Sequence, residues 1–190
     1  MRIVFIRHGR TQSNVHHLLD TAFPGAELDE VGLAQAAGLP ESVVDEPIEV
    51  VLTSDITRAR QTAEPLARSR GVPLLLRPGL REIAAGEWEM SDDWVGYIGV
   101  LTSWATDLSV RMPGGEDGFS FFDRFDAAIA EAATYDCAAV VSHGGALRTW
   151  LVARGGVAIP DDWILRNTDT AVVEGTPGDW RLLRWGYHTL

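Results

Sequence analysis

Arg7, His8, Arg58 and His143 are the residues of this chain whose types and positions best suit chemistry. Arg7-His8-Gly9 follows directly on the apolar run Ile3-Val4-Phe5-Ile6. Ser54, with Arg58 one helical turn on, follows Val50-Val51-Leu52, and Ser142-His143-Gly144-Gly145 follows the run that ends at Val141. Each apolar run reads as a buried strand, and open α/β sheets bind ligands beyond the carboxyl ends of their strands. Two imidazoles and two guanidiniums gathered at one sheet edge, in a chain of net charge −11, point to an anionic ligand. The helix that starts near His143 adds backbone N–H groups suited to the same anion.

The elements that must hold these residues follow from periodicity and punctuation. Strands are predicted at 3–6, 50–52, 72–76 and 138–141. Helical spacing runs from Asp29 to Leu39, with Pro40 as its stop. Thr53-Ser54-Asp55 offers N-cap chemistry for a helix over about 56–69, which Gly71 closes. Further helices are predicted near 93–107, over 119–134, and from Gly145 to Ala153. Two last strands, 170–174 and 180–185, flank a Pro177-Gly178-Asp179 turn. Strands alternating with helices predict a three-layer α/β/α sandwich with a mostly parallel central sheet. The chain reads as a single domain over 1–190, with the irregular segment 78–118 as a small cap insertion.

Composition removes several other classes. All sixteen basic residues are Arg, against twenty-seven acidic ones, so Walker-type and Schiff-base lysines are excluded. The acidic balance argues against nucleic acid or an anionic membrane as partner. Cys137 stands alone, with no Arg shortly after it to cradle a phosphate, and reads as a small buried hydrophobe. Residues 1–10 lack signal-peptide character and no apolar stretch reaches the roughly 20 residues of a membrane helix, so a cytoplasmic location is expected.

The local patterns are more specific than the composition. Residues 7–14 fit R-H-G-x-T-x-x-N, and residues 54–63 fit S-x-x-x-R-A-x-Q-T-A. Leu80-Arg81-Glu82 is followed by Gly86-Glu87-Trp88-Glu89, then Pro113-Gly114-Gly115-Glu116 and Val141-Ser142-His143-Gly144-Gly145. In this order the chain resembles the histidine phosphatase superfamily, also called phosphoglycerate mutase-like. The matched blocks extend from Ile3 to about Arg148, with a weaker block over 167–174.

The resemblance implies roles. His8 is the nucleophile and forms a phosphohistidine, a task suited to an imidazole that is partly neutral near pH 7. Arg7, Arg58 and His143 surround the phosphoryl oxygens, with Asn14, Thr11 and Gly144 adding neutral hydrogen bonds. Glu82 protonates the leaving oxygen and then deprotonates water. The implied function is a cofactor-independent phosphomonoesterase acting on a small phosphorylated metabolite. No metal and no cofactor are expected, and a family-like homodimer is possible. Phosphoglycerate mutase chemistry and a non-catalytic phospholigand-binding protein are the alternatives. Family mutases are typically longer, with a tail over the site, and this chain stops soon after Trp185, which favours hydrolysis.

Several residues have rival readings. Arg60 competes with Arg58, and Glu87 and Glu89 compete with Glu82. His16-His17 could contact substrate, whereas a metal site there is disfavoured, and Arg10 is balanced between substrate contact and surface. Trp88, Trp94 and Trp104 read mainly as packing, although Trp94, Tyr97 and Trp104 lie where the family's cap sits. Asp92-Asp93 and Asp161-Asp162 read as helix-start charges. Arg10, Ser13, Met90 and Asp117 depart from common family residues at positions that line the mouth and cap rather than the phosphate pocket.

Overall fold

The computed structural model describes residues 1–155, 159–160, 163–186 and 188–189. Strand β1 (Arg2–Arg7) buries its four central residues and lies inside the sheet. It is followed by a single helical turn α1 (Gln12–Val15) and by helix α2 (Glu30–Ser42). Strand β2 (Val50–Thr53), helix α3 (Thr57–Arg70) and strand β3 (Leu74–Leu76) complete the first half. Then come α4 (Trp94–Ser103), α5 (Gly118–Ala132), β4 (Cys137–Ser142) and α6 (Gly144–Arg154). Strands β5 (Thr170–Thr176), β6 (Asp179–Trp185) and β7 (His188–Thr189) follow.

The seven strands form one sheet in the order β3-β2-β4-β1-β5-β6-β7. The four strands β3, β2, β4 and β1 run parallel, which directs the ends of β1, β2 and β4 to one edge. The chain then turns antiparallel through β5, β6 and β7. Alternation along β1 divides the core in two. Ile3 and Phe5 pack with Phe121, Phe125 and Trp150, on the side of α5 and α6. Val4 and Ile6 pack with Leu39, Ala59, Ala63 and Leu66, on the side of α2 and α3. Helices therefore cover both faces, giving the expected three layers.

Local differences from the expected elements have physical causes. Helix α2 runs through Pro40 to Ser42, because a proline in the last turn removes a single hydrogen bond two residues before the helix ends anyway. Helix α3 is not capped by Asp55, whose carboxylate pairs instead with Arg81; Ser54 Oγ accepts from Ile56 N at 3.2 Å. Gly71 closes α3 in the left-handed conformation, with φ +65°. Val72 then donates back to Ala67, so β3 starts only at Leu74.

Segment 78–118 contains α4, shorter than the predicted 93–107 helix, and two single 3₁₀ turns. Asp93 caps α4 by accepting from Val95 N, as its helix-start reading required, whereas Asp161-Asp162 lie outside the described residues. Trp104 is buried against Phe121, with 5.8 Å between ring centroids. Met90 adopts φ +60°, a conformation that costs a residue with a side chain about 1 kcal/mol or more. No helix among the described residues is long and apolar enough to cross a membrane.

Candidate active site

The ends of β1 and β2 and the start of α6 meet at a cavity of about 590 Å³. Arg7, His8, Thr11, Asn14, Arg58, Glu82 and Gly144 line it, together with Asp20 and Arg148. Most of the sequence-predicted site residues thus share one space, although Glu82 lies 74 positions after His8 in the chain.

His8 is 3% exposed, and its Nδ1 lies 2.7 Å from the carbonyl oxygen of Gly9. A carbonyl only accepts, so Nδ1 carries the proton and the lone pair resides on Nε2. That lone pair accepts from Arg58 Nε at 3.1 Å. Burial, reinforced by the charges of Arg58 and Arg7, pushes the His8 pKa well below the ordinary 6.5. The ring is therefore a neutral base with a fixed tautomer. The backbone around it is held too: Gly9 N donates to Thr62 Oγ1, and Asn167 Nδ2 donates to the His8 carbonyl.

Arg58 is 3% exposed. Its Nη2 donates to the Asp20 carbonyl at 2.6 Å, and its Nη1 stands 3.5 Å from Asp20 Oδ1. Arg7 donates from Nη1 to the Leu165 carbonyl at 2.7 Å. Arg7 Nε and Arg58 Nη1 are both buried without a hydrogen-bond partner among the described residues. Burial lowers the pKa of both guanidiniums, but arginine remains charged at any pH a folded protein meets. Two buried cations with unspent donors, facing one neutral imidazole, form a site that an oxyanion would complete.

Asn14 and Thr11 brace one another: Thr11 N donates to Asn14 Oδ1, and Asn14 N donates to Thr11 Oγ1. Asn167 Nδ2 also donates to Asn14 Oδ1. The Asn14 carboxamide oxygen is thereby occupied, and the NH₂ group is what it has to offer a ligand.

Glu82 settles a different question. Its Oε1 accepts from Ala146 N at 2.7 Å and Ile83 N at 2.9 Å, and its Oε2 from Gly145 N at 3.0 Å. The free N–H groups of α6, expected to face an anionic ligand, are thus partly taken by the Glu82 carboxyl group. Glycine at 145 eases the approach, since a Cβ there would come 2.9 Å from Glu82 Oε1 and 3.2 Å from the Tyr97 hydroxyl, and Glu82 would have to shift. Glu82 also lines the cavity, which its rivals do not. Glu87 is exposed, and Glu89 is engaged by the backbone N–H groups of Thr21 and Ala22.

His143 differs from its expected position around the ligand. It is fully buried behind the cavity wall, its ring centroid 5.1 Å from that of His8 and its Nε2 2.9 Å from Ser54 Oγ. Its Nδ1 has no partner among the described residues. Burial and the neighbouring Arg58 push its pKa well below 6.5, so it contributes a dipole rather than a charge.

Arg10 pairs with Asp29, the cap of α2, which resolves its balance toward structure. His16 and His17 are exposed and lie outside the cavity wall. Sequence reasoning missed Asp20, which anchors Arg58, and Arg124, which donates to the carbonyls of Gly79, Arg81 and Glu82 and pairs with Glu116. Neither belongs to a local pattern, and each acts across more than 35 positions of chain.

The two buried neutral histidines have a measurable consequence. Unfolded, each imidazole takes up a proton as pH falls through about 6.5; folded, neither does until the pH is lower. The unfolded chain then binds more protons, so stability falls with acidification below about 6.5, by up to about 1.4 kcal/mol per pH unit for each histidine. Urea unfolding in phosphate-free buffer from pH 7.5 to 5.5 should show the loss, and His8→Asn should remove part of it. A free energy that does not change over that interval contradicts the neutral-histidine assignment.

A family model of the histidine phosphatase superfamily (branch 1) matches residues 3–188. The adenosylcobalamin/alpha-ribazole phosphatase of Escherichia coli K12 is 33% identical over 165 residues, covering 81% of this chain and 78% of that protein. The glucosyl-3-phosphoglycerate phosphatase of Mycolicibacterium vanbaalenii is 26% identical over 211 aligned positions, covering 97% and 91%. Among solved structures, a mycobacterial glucosyl-3-phosphoglycerate phosphatase in complex with VO3 superposes with a TM-score of 0.81 at 25% identity, covering 98% of this chain and 99% of that one.

Proposed function

The chain belongs to the histidine phosphatase superfamily, and from that premise we propose that it hydrolyses a small phosphate monoester by way of a phosphoryl group carried on His8. The observation that carries the reading is the His8 ring. Its Nδ1 proton is tied to Gly9, and its Nε2 lone pair accepts from the buried Arg58, with the buried Arg7 guanidinium nearby; each arginine has a nitrogen without a hydrogen-bond partner among the described residues.

In the first step the phosphoryl oxygens draw the donors of Arg7 and Arg58, which frees the His8 Nε2 lone pair from Arg58. Nε2 attacks phosphorus, the N–P bond forms, and the P–O bond to the alcohol breaks. The departing alkoxide takes a proton from Glu82. In the second step Glu82, now a carboxylate, removes a proton from water as its oxygen attacks phosphorus. The N–P bond breaks and its electron pair returns to Nε2. The sum is ester plus water giving alcohol plus inorganic phosphate. Arg7, Arg58 and the NH₂ group of Asn14 stabilise charge that grows on the equatorial oxygens, with neutral His143 adding a dipole from behind the wall, while Gly9 supports the cationic ring of the intermediate. Thr11 and Gly144 shape the wall around the phosphoryl group.

The cationic charge in this scheme comes from guanidiniums, so hydrolysis of p-nitrophenyl phosphate should survive excess EDTA. Turnover abolished by the chelator, or inorganic phosphate binding without turnover of any ester, would contradict it.

A further inference from the structure

The cavity is far larger than a phosphoryl group, and its outer part is built from different chemistry. Beyond the floor, its wall is formed by Leu18, Trp94, Tyr97, Ile98, Ile164 and Leu165. Trp94, Ile98 and Ile164 are 41%, 48% and 67% exposed, an apolar rim on a chain of net charge −11. Exposed apolar groups gathered around a concave site mark something they are meant to cover. The Trp94 ring is set in advance: its Nε1 donates to the His17 carbonyl at 2.6 Å, and it meets Tyr97 edge to face at 5.8 Å.

The charged groups of the outer wall are already committed to the protein. Asp20 stands 3.5 Å from Arg58 and accepts from Ser13 Oγ and Ala26 N. Arg148 donates to the carbonyls of Trp163 and Pro160, so part of its guanidinium is engaged by backbone.

Given the hydrolysis proposed above, we infer that the leaving alcohol is uncharged and apolar, with an aromatic or aliphatic body seated between Trp94 and Ile98 of α4 and the Ile164-Leu165 strip. Carboxylated phosphate esters are disfavoured, because their second charge would lose water against this wall with little to replace it.

The test uses three esters of primary alcohols, so that leaving-group chemistry is comparable: 2-phenylethyl phosphate, ethyl phosphate and 3-phosphoglycerate. Burial of the phenyl ring should raise kcat/KM about 10- to 100-fold over ethyl phosphate, with 3-phosphoglycerate the poorest. Trp94→Ala should collapse the phenylethyl-to-ethyl ratio toward one, as should Ile98→Asp, with thermal melts confirming that both variants fold. Equal rates for the three esters, or a preference for 3-phosphoglycerate, overturn the inference while leaving hydrolysis intact. Failure to hydrolyse any of them, p-nitrophenyl phosphate included, removes the hydrolase reading itself and this inference with it.

Discussion

His8→Ala is expected to lower kcat/KM for any phosphate ester by on the order of 10⁴-fold or more, the scale on which removing a covalent nucleophile operates. No neighbour can substitute. His143, the other imidazole at hand, lies behind the wall with Nε2 directed at Ser54, and the remaining groups around Nε2 are guanidiniums, which are not nucleophiles. The variant should still bind inorganic phosphate, because Arg7 and Arg58 keep their unspent donors. A thermal shift with phosphate therefore separates lost chemistry from lost folding. His8→Asn provides a polar control that can still donate to the Gly9 carbonyl. Residual activity within about tenfold of the parent would exclude His8 as nucleophile, since a scaffold effect alone does not restore an absent lone pair.

The second large effect is expected at Glu82, and it should depend on the leaving group. Glu82→Gln removes the proton that an alkoxide requires, a contribution of about 10²- to 10⁴-fold. An aryl alcohol such as p-nitrophenol leaves readily without that proton, so the first step on p-nitrophenyl phosphate should be much less affected. The second step still lacks its base. The variant should therefore release a rapid burst of p-nitrophenolate followed by slow turnover, while alkyl esters slow from the start. Glutamine is not a neutral replacement for the hydrogen bonds. Its oxygen can keep the Ala146 and Ile83 contacts, but its NH₂ group then opposes the Gly145 N–H, at a cost of about 1–3 kcal/mol. Circular dichroism and a urea midpoint must accompany the kinetics. Equal losses on alkyl and aryl esters with no burst would contradict the acid–base assignment.

His8 and Arg58 sit in dense local patterns, and the apolar runs before them place them at strand ends, so their convergence follows from the alternation of strands and helices. The parallel half of the sheet was legible for the same reason. The antiparallel edge was only partly so: β5 and β6 announce themselves through Pro177-Gly178, but β7 is two residues long and has no periodicity to detect. The ends of elements were hidden wherever tertiary contacts override local signals. Helix α2 continues past Pro40, and Asp55 leaves its capping position to pair with Arg81. Supporting residues were the least visible. Asp20 and Arg124 hold Arg58 and the Glu82 segment across long stretches of chain, and nothing in their own surroundings distinguishes them from surface polar residues; Asn167, which holds the His8 carbonyl, is signalled only by the weaker block over 167–174. Asp117 is the opposite case. Aspartate caps α5 by accepting from Ser120 N at 2.8 Å, as serine also can, and its carboxylate adds an ion pair with Arg111 that serine could not make.

The central claim is that phosphorus is bonded transiently to His8, and an alkaline quench tests it most directly. Phosphohistidine survives alkali and is lost in acid, unlike phosphoserine. Parent and Glu82→Gln proteins would be mixed with phosphorus-labelled p-nitrophenyl phosphate, quenched within the first turnover, digested and sequenced by mass. The account predicts an alkali-stable, acid-labile label on the peptide bearing His8, accumulating in Glu82→Gln and absent from His8→Ala. Label on a different residue, or none in either protein while ester is being hydrolysed, would contradict it.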